Sequence, residues 1–281
     1  MKNILTGLMS NSATYPCTDC ETHKDNLGNC SGNSRTVASL AKDFLSYQAL
    51  SYQSNKAQNQ KHAISCHNVT HRPLILESVE ACLASDKRVF EFCPPSPLHI
   101  LLGIVNDMYK KMHSFWPNEV SDWQKDSLAK REAWHSGQFQ GNQCVYLLEN
   151  IGFLDTLRIL EMQPCIVALK AFNEVRKACF SIKFESDFAE KIAKFKRNFD
   201  DIVELQGMSV TPKVHELYFH VREFIDKVQV GLGKLSEQTG ESLHHDFAIH
   251  YERFQRYTNP EHPNYAQNLK ATVVAYNSKH I

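Results

Sequence analysis

Two thiols two residues apart, in Tyr15-Pro-Cys17-Thr-Asp-Cys20, and two imidazoles in Lys213-Val-His215-Glu-Leu-Tyr-Phe-His220 are the ingredients of one tetrahedral zinc site. Zinc needs thiolate or imidazole donors converging at about 2.0 to 2.3 Å. The spacer between Cys17 and Cys20 lets both sulfurs face one ion across a tight turn. It also suits a redox pair or two small buried hydrophobes. Cys30, Cys66, His67 and His71 lie closer in sequence and are rival partners. The imidazoles pose the harder geometry. On a regular helix a five-residue offset turns two rings roughly 140° apart and separates them by about 7.5 Å along the axis. Helical zinc pairs use an offset of four. His215 and His220 reach one ion only if His215 sits in a loosened first turn, which Thr211-Pro212 permits.

Carboxylates follow closely. Glu237 and Glu241 lie four apart in Ser236-Glu237-Gln-Thr-Gly-Glu241-Ser242, and His245 continues the row. Like charges at that spacing repel mildly, and a glutamate early in a helix also complements the helix dipole. Beside a metal-anchored turn, the same carboxylate could hold Mg²⁺ together with other acids. Two such ions about 4 Å apart activate a water or a 3′-hydroxyl and stabilise the leaving oxygen in phosphodiester chemistry. Further acids, normally aspartates on adjacent strands, are required for that set, and the chain shows no convincing pair on a strand.

The elements that must position these groups read as helices. Val37, Leu40, Ala41, Phe44 and Leu45 recur at helical spacing from Ser34 onward. Residues 51–62 are rich in Gln, Asn, Ser and Lys and read as an exposed helix end or loop. Cys93-Pro-Pro-Ser-Pro97 is a break, after which Ser96 caps a helix with Pro97 in its first turn. Leu98, Leu101, Leu102, Val105 and Tyr109 line one face of it as far as Trp116-Pro117. Gly137-Gln-Phe-Gln-Gly-Asn142 leads into another helix, with Val145, Leu147 and Leu148 inside. Residues 155–183 and 186–206 are long helical patterns. In the second, Lys191-Ile-Ala-Lys-Phe-Lys-Arg197 is basic on one side, which suits a solvated face better than a phosphate contact. Thr211-Pro212 starts a helix with Val214, Leu217, Val221, Phe224, Ile225 and Val228 as its apolar stripe. Ser236 opens a last helix carrying Leu243, Phe247, Tyr251 and Phe254. Strand signals are scarce and no internal repeat is visible, so the fold class is mainly α.

Bulk composition narrows the function classes. The 281 residues are 42% apolar and 22% charged, ordinary values for a globular protein. Basic and acidic side chains number 31 each. They divide evenly, 14 of each through Asn150 and 17 of each beyond it. Nucleic-acid binders carry a basic surplus, so strong unspecific DNA binding by this chain alone is not expected. Nine irregularly spaced cysteines do not form a disulfide framework and suit a reducing compartment. No signal peptide and no apolar run near the roughly 18 residues of a membrane span are evident. A nuclear or cytoplasmic protein, neither secreted nor membrane-bound, is expected.

Taken in order, five segments resemble the catalytic core of the V(D)J recombinase and its relatives, the Transib-like and other DDE transposases of RNase H-like fold. Ser12-Ala-Thr-Tyr-Pro-Cys17-Thr-Asp-Cys20 looks like the zinc-binding Cys-x-x-Cys of that family. Pro97-Leu-His99-Ile-Leu-Leu-Gly103-Ile-Val-Asn106-Asp-Met-Tyr109 looks like its Leu-His…Gly-Asn…Tyr helix. Phe139-Gln-Gly141-Asn142 is similar to its Asn-Gly-Asn turn, with Gln140 replacing the usual asparagine. His215 and His220 match its His-x-x-x-x-His, and Ser236-Glu237-Gln-Thr-Gly-Glu241-Ser242 resembles its Ser-Glu…Glu-Ser motif. The order and similar separations run from Cys17 to Arg256.

The resemblance implies one structural zinc on Cys17, Cys20, His215 and His220. Glu241 would be the third catalytic acid, with Glu237 the alternative because the motif spacing differs by one residue. Residues 1–33 would be the end of the RNase H-like core with its zinc-binding turn. Residues 34–210 would be the helical insertion domain, and 211–281 the histidine segment with the helix of the catalytic glutamate. The ancestral reaction would be Mg²⁺-dependent DNA strand cleavage and transfer at transposon ends, with room for a homodimer. The family's second aspartate lies upstream of the first zinc cysteine. No aspartate precedes Cys17 here, so both catalytic aspartates are missing from this chain. An incomplete core, inactive alone, is therefore expected; a non-catalytic zinc-stabilised helical module binding DNA or protein is the alternative.

Overall fold

Capping residues and prolines set most of the helix starts in the computed structural model, which describes residues 2–9, 12–52, 55–132 and 137–235. The first helix, α1 (Lys2–Thr6), is short. Helix α2 (Val37–Ser51) begins at Thr36. The Thr36 hydroxyl accepts from Ser39 N at 3.0 Å, and Ser39 Oγ accepts from Thr36 N at 3.1 Å. Val37, Leu40 and Ala41 are buried on the expected face. The polar stretch after it is helical from α3 (Lys56–Ser65), which a reciprocal Asn55–Gln58 cap starts although little but Ala63 is buried. Helix α4 (Val79–Leu83) starts on Ser78.

A larger set of helices follows. Ser96 Oγ accepts from His99 N and starts α5 (Pro97–Phe115); Trp116 ends it and Pro117 opens α6 (Pro117–Asp126). Strands β1 (Arg131–Glu132) and β2 (Gln138–Phe139) form an antiparallel pair, with Arg131 opposite Phe139. Then come α7 (Gly141–Glu149), α8 (Gly152–Thr156), α9 (Gln163–Cys179) and α10 (Phe188–Gln206). The continuous pattern expected over 155–183 is interrupted. Arg158 adopts φ +55°, and a 3-10 turn over Leu160–Met162 intervenes before α9. The last described helical stretch is α11 (Pro212–His215), a π-helical turn over Glu216–Val221 and α12 (Arg222–Val228). The described residues are thus mainly α-helical, and none of their helices is long and apolar enough to cross a membrane.

Burial is unequal along the chain. One large core joins α5 through α12, with Trp123, Phe172, Phe195, Phe199 and Phe224 all fully inside. Apart from Phe90, which joins the large core, the described segments before residue 94 share two small clusters, one of Leu8, Leu40, Val69, Val89 and Cys93, the other of Val37, Ala41 and Cys82. So little apolar burial leaves polar contacts to fix the first third of the chain. Within the large core, Gly103 allows a close approach: a β carbon there would stand 3.0 Å from Lys213 Cγ, so α11 can lie on α5. Asn106 ties the hairpin to α5, accepting from Phe139 N at 2.8 Å and donating to Phe139 O at 3.2 Å.

The basic side of α10 is matched by acids. Lys191 pairs with Glu185 and Asp187, Lys194 with Glu174 at 2.8 Å, and Lys196 with Asp200 at 2.6 Å. It is an ion-paired solvated face. Glu237, Glu241 and the helix expected from Ser236 lie outside the described residues.

Candidate metal centre

The thiol half of the site is built by a short backbone pairing. Cys20 faces Ser34 in an isolated antiparallel bridge, Glu21 N donates to Asn33 O at 2.8 Å, and Arg35 N donates to Asp19 O at 2.9 Å. Gly32 is required there because a β carbon would stand 2.1 Å from the Glu21 carbonyl carbon and 2.3 Å from Thr22 N. The turn so held aims both sulfurs inward. Asp19 N donates to Cys17 Sγ at 3.4 Å, and Cys20 Sγ lies 3.1 Å from Thr22 Oγ1.

The histidine half depends on how its helix is wound. Thr211 O accepts from His215 N, so α11 starts as a regular turn. The chain then widens into the π turn of Glu216–Val221. In an i→i+5 turn, residues five apart come round to nearly the same face, which a 3.6-residue period forbids. The expected loosening of the first turn therefore occurs one turn later, between the two histidines. Phe219 packs on His215, with ring centroids 5.0 Å apart.

The structure brings Cys17, Cys20, His215 and His220 together. One ligand atom from each lies within 4.8 Å of all the others, and the four residues are between 0% and 4% exposed. Cys20 Sγ and His220 Nε2 each stand 3.2 Å from His215 Nε2. A tetrahedron with zinc-like bond lengths has edges of about 3.3 to 3.8 Å, so these two separations need to widen only slightly around an ion. One of the other two ring nitrogens is also turned suitably. His215 Nδ1 donates to Leu27 O at 2.8 Å, and His220 Nδ1 is 3.5 Å from Glu223 Oε2. Because a carbonyl only accepts, His215 Nδ1 carries the proton and its Nε2 presents a lone pair to the cluster when the ring is neutral; His220 Nδ1, 3.5 Å from the Glu223 carboxylate, makes no hydrogen bond. The buried cluster could hold a metal ion.

Its titration without a metal follows the same logic. Burial would push the Cys17 thiol up, but the Cys20 hydrogen bond and the His220 charge override it and hold Cys17 well below the ordinary thiol range. Burial would likewise push His220 down, but the Cys17 thiolate holds it well above the ordinary histidine range. Cys20 is raised, first by its hydrogen bond to Cys17 and then by burial. Without a metal these shifts favour a thiolate at Cys17 paired with a protonated His220.

Two arginines surround the cluster. Arg88 forms a two-pronged pair with Glu223, its Nη2 3.1 Å from Oε2, and so anchors the carboxylate that faces His220. Burial works against ionisation of Glu223, yet His220 and Arg88 keep it below the usual carboxylate range. Arg35, fully buried, donates Nε to the carbonyls of Cys17 and Cys20 at 3.1 and 3.0 Å. A second cluster, Glu21, Asp43 and His67, lies beyond it. There His67 Nδ1 is 3.1 Å from Asp43 Oδ2, and the Arg35 cation, 3.8 Å from the same oxygen, already supplies positive charge.

The rival ligands fall elsewhere. Cys30 is exposed, Cys66 lies beside Ser65, His67 belongs to the second cluster, and His71 Nδ1 bonds Thr70 Oγ1. His99 is exposed and bonds Ser96 Oγ at 2.8 Å. Sequence reasoning missed Arg35, Arg88 and Glu223, for which only a charged residue in an otherwise apolar or turn context could have been a signal. The recess beside Cys17, bounded in part by Pro16, Thr18, Pro212 and Glu216, holds about 30 Å³, room for a water and not for a substrate. No family model matches the chain, and no curated protein matches it.

Proposed function

We propose that the four ligands bind one structural zinc and that the chain is the zinc-clasped C-terminal part of a DDE-type transposase or recombinase. The observation that supports this reading is the closed, fully protein-ligated character of the cluster, which joins a Cys-x-x-Cys turn to a His-x-x-x-x-His helix. Sites with four protein ligands and no open position serve structure, whereas catalytic zinc keeps a place for water. The hydrogen bond from His215 Nδ1 to Leu27 O is the outer-shell pattern that orients a zinc ligand. The same motifs, in the same order, carry the resemblance to the recombinase family.

In this reading the ancestral chemistry is Mg²⁺-dependent cleavage and transfer of transposon-end DNA in the nucleus. Glu241, or Glu237, supplies one of the three acids. The zinc pins the helical insertion to the core. Because Glu241 is one acid of the three that the chemistry needs, the chain alone should neither nick nor join DNA. Elemental analysis of protein purified without chelator should give one zinc per chain, lost in Cys17→Ser. Zinc retained in both His215→Ala and His220→Ala would refute the pairing. Nicking of DNA by the purified chain with Mg²⁺, lost in Glu241→Gln, would overturn the expected inactivity.

The ion-paired face of α10 and the net neutrality favour a second reading, a zinc-stabilised helical module that makes protein contacts without chemistry. Strand transfer that returns when an upstream segment bearing the two aspartates is supplied in trans would decide for the first reading. Its absence, with zinc present, would decide for the second.

A further inference from the structure

We propose that Arg35 is a positioning residue of the metal centre, whose guanidinium holds the Cys17–Cys20 turn in its liganding shape. The inference rests on the reading of the four side chains as metal ligands. Arg35 is 0% exposed although it carries a permanent charge. Its Nε is shared between Cys17 O and Cys20 O, and its Nη2 donates to His67 O at 2.9 Å. Its Nη1 has no hydrogen-bond partner and stands 3.8 Å from Asp43 Oδ2. Its own backbone is fixed as well: Arg35 N donates to Asp19 O inside the turn, and Arg35 O accepts from Arg88 Nε at 3.2 Å.

The geometry has one effect. Both cysteine carbonyls converge on a single N–H, so the turn between them is closed on the arginine side while its sulfurs enter the cluster on the other. Three carbonyls reached from one rigid planar group is a task for a guanidinium and not for an ammonium, whose single nitrogen cannot span them. The charge matters too. Neutral carbonyls alone leave a buried cation poorly compensated, whereas the Asp43 carboxylate, 3.8 Å from Nη1, supplies counter-charge. The turn is thereby shaped before any ion arrives.

The test compares zinc affinity, by chelator competition on the full chain, in wild type, Arg35→Lys, Asp43→Asn and Leu40→Ala. Leu40 is fully buried in the small cluster of Leu8, Val69, Val89 and Cys93, which contains no residue of the turn, so Leu40→Ala calibrates what general loosening does. Arg35→Lys is expected to lower zinc affinity about tenfold to a hundredfold, beyond any loss in Leu40→Ala at a matched fall in melting temperature. The Co²⁺-loaded variant should also show weakened thiolate-to-metal absorption. Asp43→Asn, which removes the counter-charge and leaves the turn's partners in place, should lose affinity severalfold and keeps the proposal testable should Arg35→Lys not fold. Arg35→Lys affinity no lower than that of Leu40→Ala, or Asp43→Asn equal to wild type, overturns the role of Arg35. A wild-type chain that takes up no zinc overturns the reading of the site itself, and the role of Arg35 with it.

Discussion

His215 and His220 bring their Nε2 atoms to within 3.2 Å of each other while both Nδ1 atoms face acceptors. In water such a pair would rotate apart. Here the π turn and the Leu27 carbonyl hold the pair together, and a proton or a metal between the two nitrogens would bridge them.

Removing the metal should loosen the first third of the chain more than the rest. Apart from Phe90, the described residues of that third share two small apolar clusters, whereas α5 to α12 share a large core. Stripping a ligand present at a thousandfold above its dissociation constant costs about 4 kcal/mol. A chelator should lower the melting temperature and open cleavage sites before residue 94, with the helical core surviving. Equal protease resistance with and without chelator would count against the clasp.

Metal uptake should release protons. Near neutral pH the Cys20 thiol is protonated because its affinity for protons is raised, and His220 is protonated for the same reason; Cys17, held low, is already a thiolate. Binding must expel the protons of Cys20 and His220. Affinity should therefore fall as pH falls, roughly a hundredfold per pH unit while both protons are displaced. Calorimetry in buffers of differing ionisation enthalpy counts the protons. A count of zero would contradict the assigned charge states.

Glu223→Gln should weaken the site without unfolding the chain. The substitution removes the charge facing His220 Nδ1 at 3.5 Å and the partner of Arg88, while the large core is untouched. Loss of an outer-shell carboxylate of this kind lowers metal affinity about tenfold to a hundredfold. Unchanged affinity in Glu223→Gln would show that His220 is held by packing alone.

Thiol reactivity should sort the cysteines. Burial pushes Cys144, Cys165 and Cys179 up to about 12, so each is a thiol and a poor nucleophile at pH 8. Cys30 is exposed. Iodoacetamide should label Cys30 in the native metal-loaded protein and reach Cys17 and Cys20 only after chelation. Mass spectrometry showing the core thiols labelled as fast as Cys30 would refute their burial.

What could be read from sequence was local. Ser96 caps its helix as expected and helices begin at Pro97 and Pro212, but the Thr211 hydroxyl expected to cap the second makes no hydrogen bond, so proline alone marks that start. The Cys17–Cys20 spacing likewise reads directly. His215 and His220 were awkward because helical periodicity assumes one winding, and the π turn over Glu216–Val221 has no simple spacing signal. Arg35 and Arg88 act on carbonyls and on a glutamate 135 positions away, which no local pattern announces. The grip of Asn106 on Phe139, 33 residues apart, was hidden in the same way. The break at Arg158 escaped notice because a left-handed residue other than glycine leaves no compositional trace.

The contact between Cys20 and His215 spans 195 residues. Closing a ring of that size from an open chain sacrifices on the order of 5 kcal/mol of entropy. During synthesis the sulfur pair leaves the ribosome well before His215 and His220. Metal capture at this cluster would then be a late event that reports translation through the final ligand, and a polypeptide stopped short of it would keep two idle thiols.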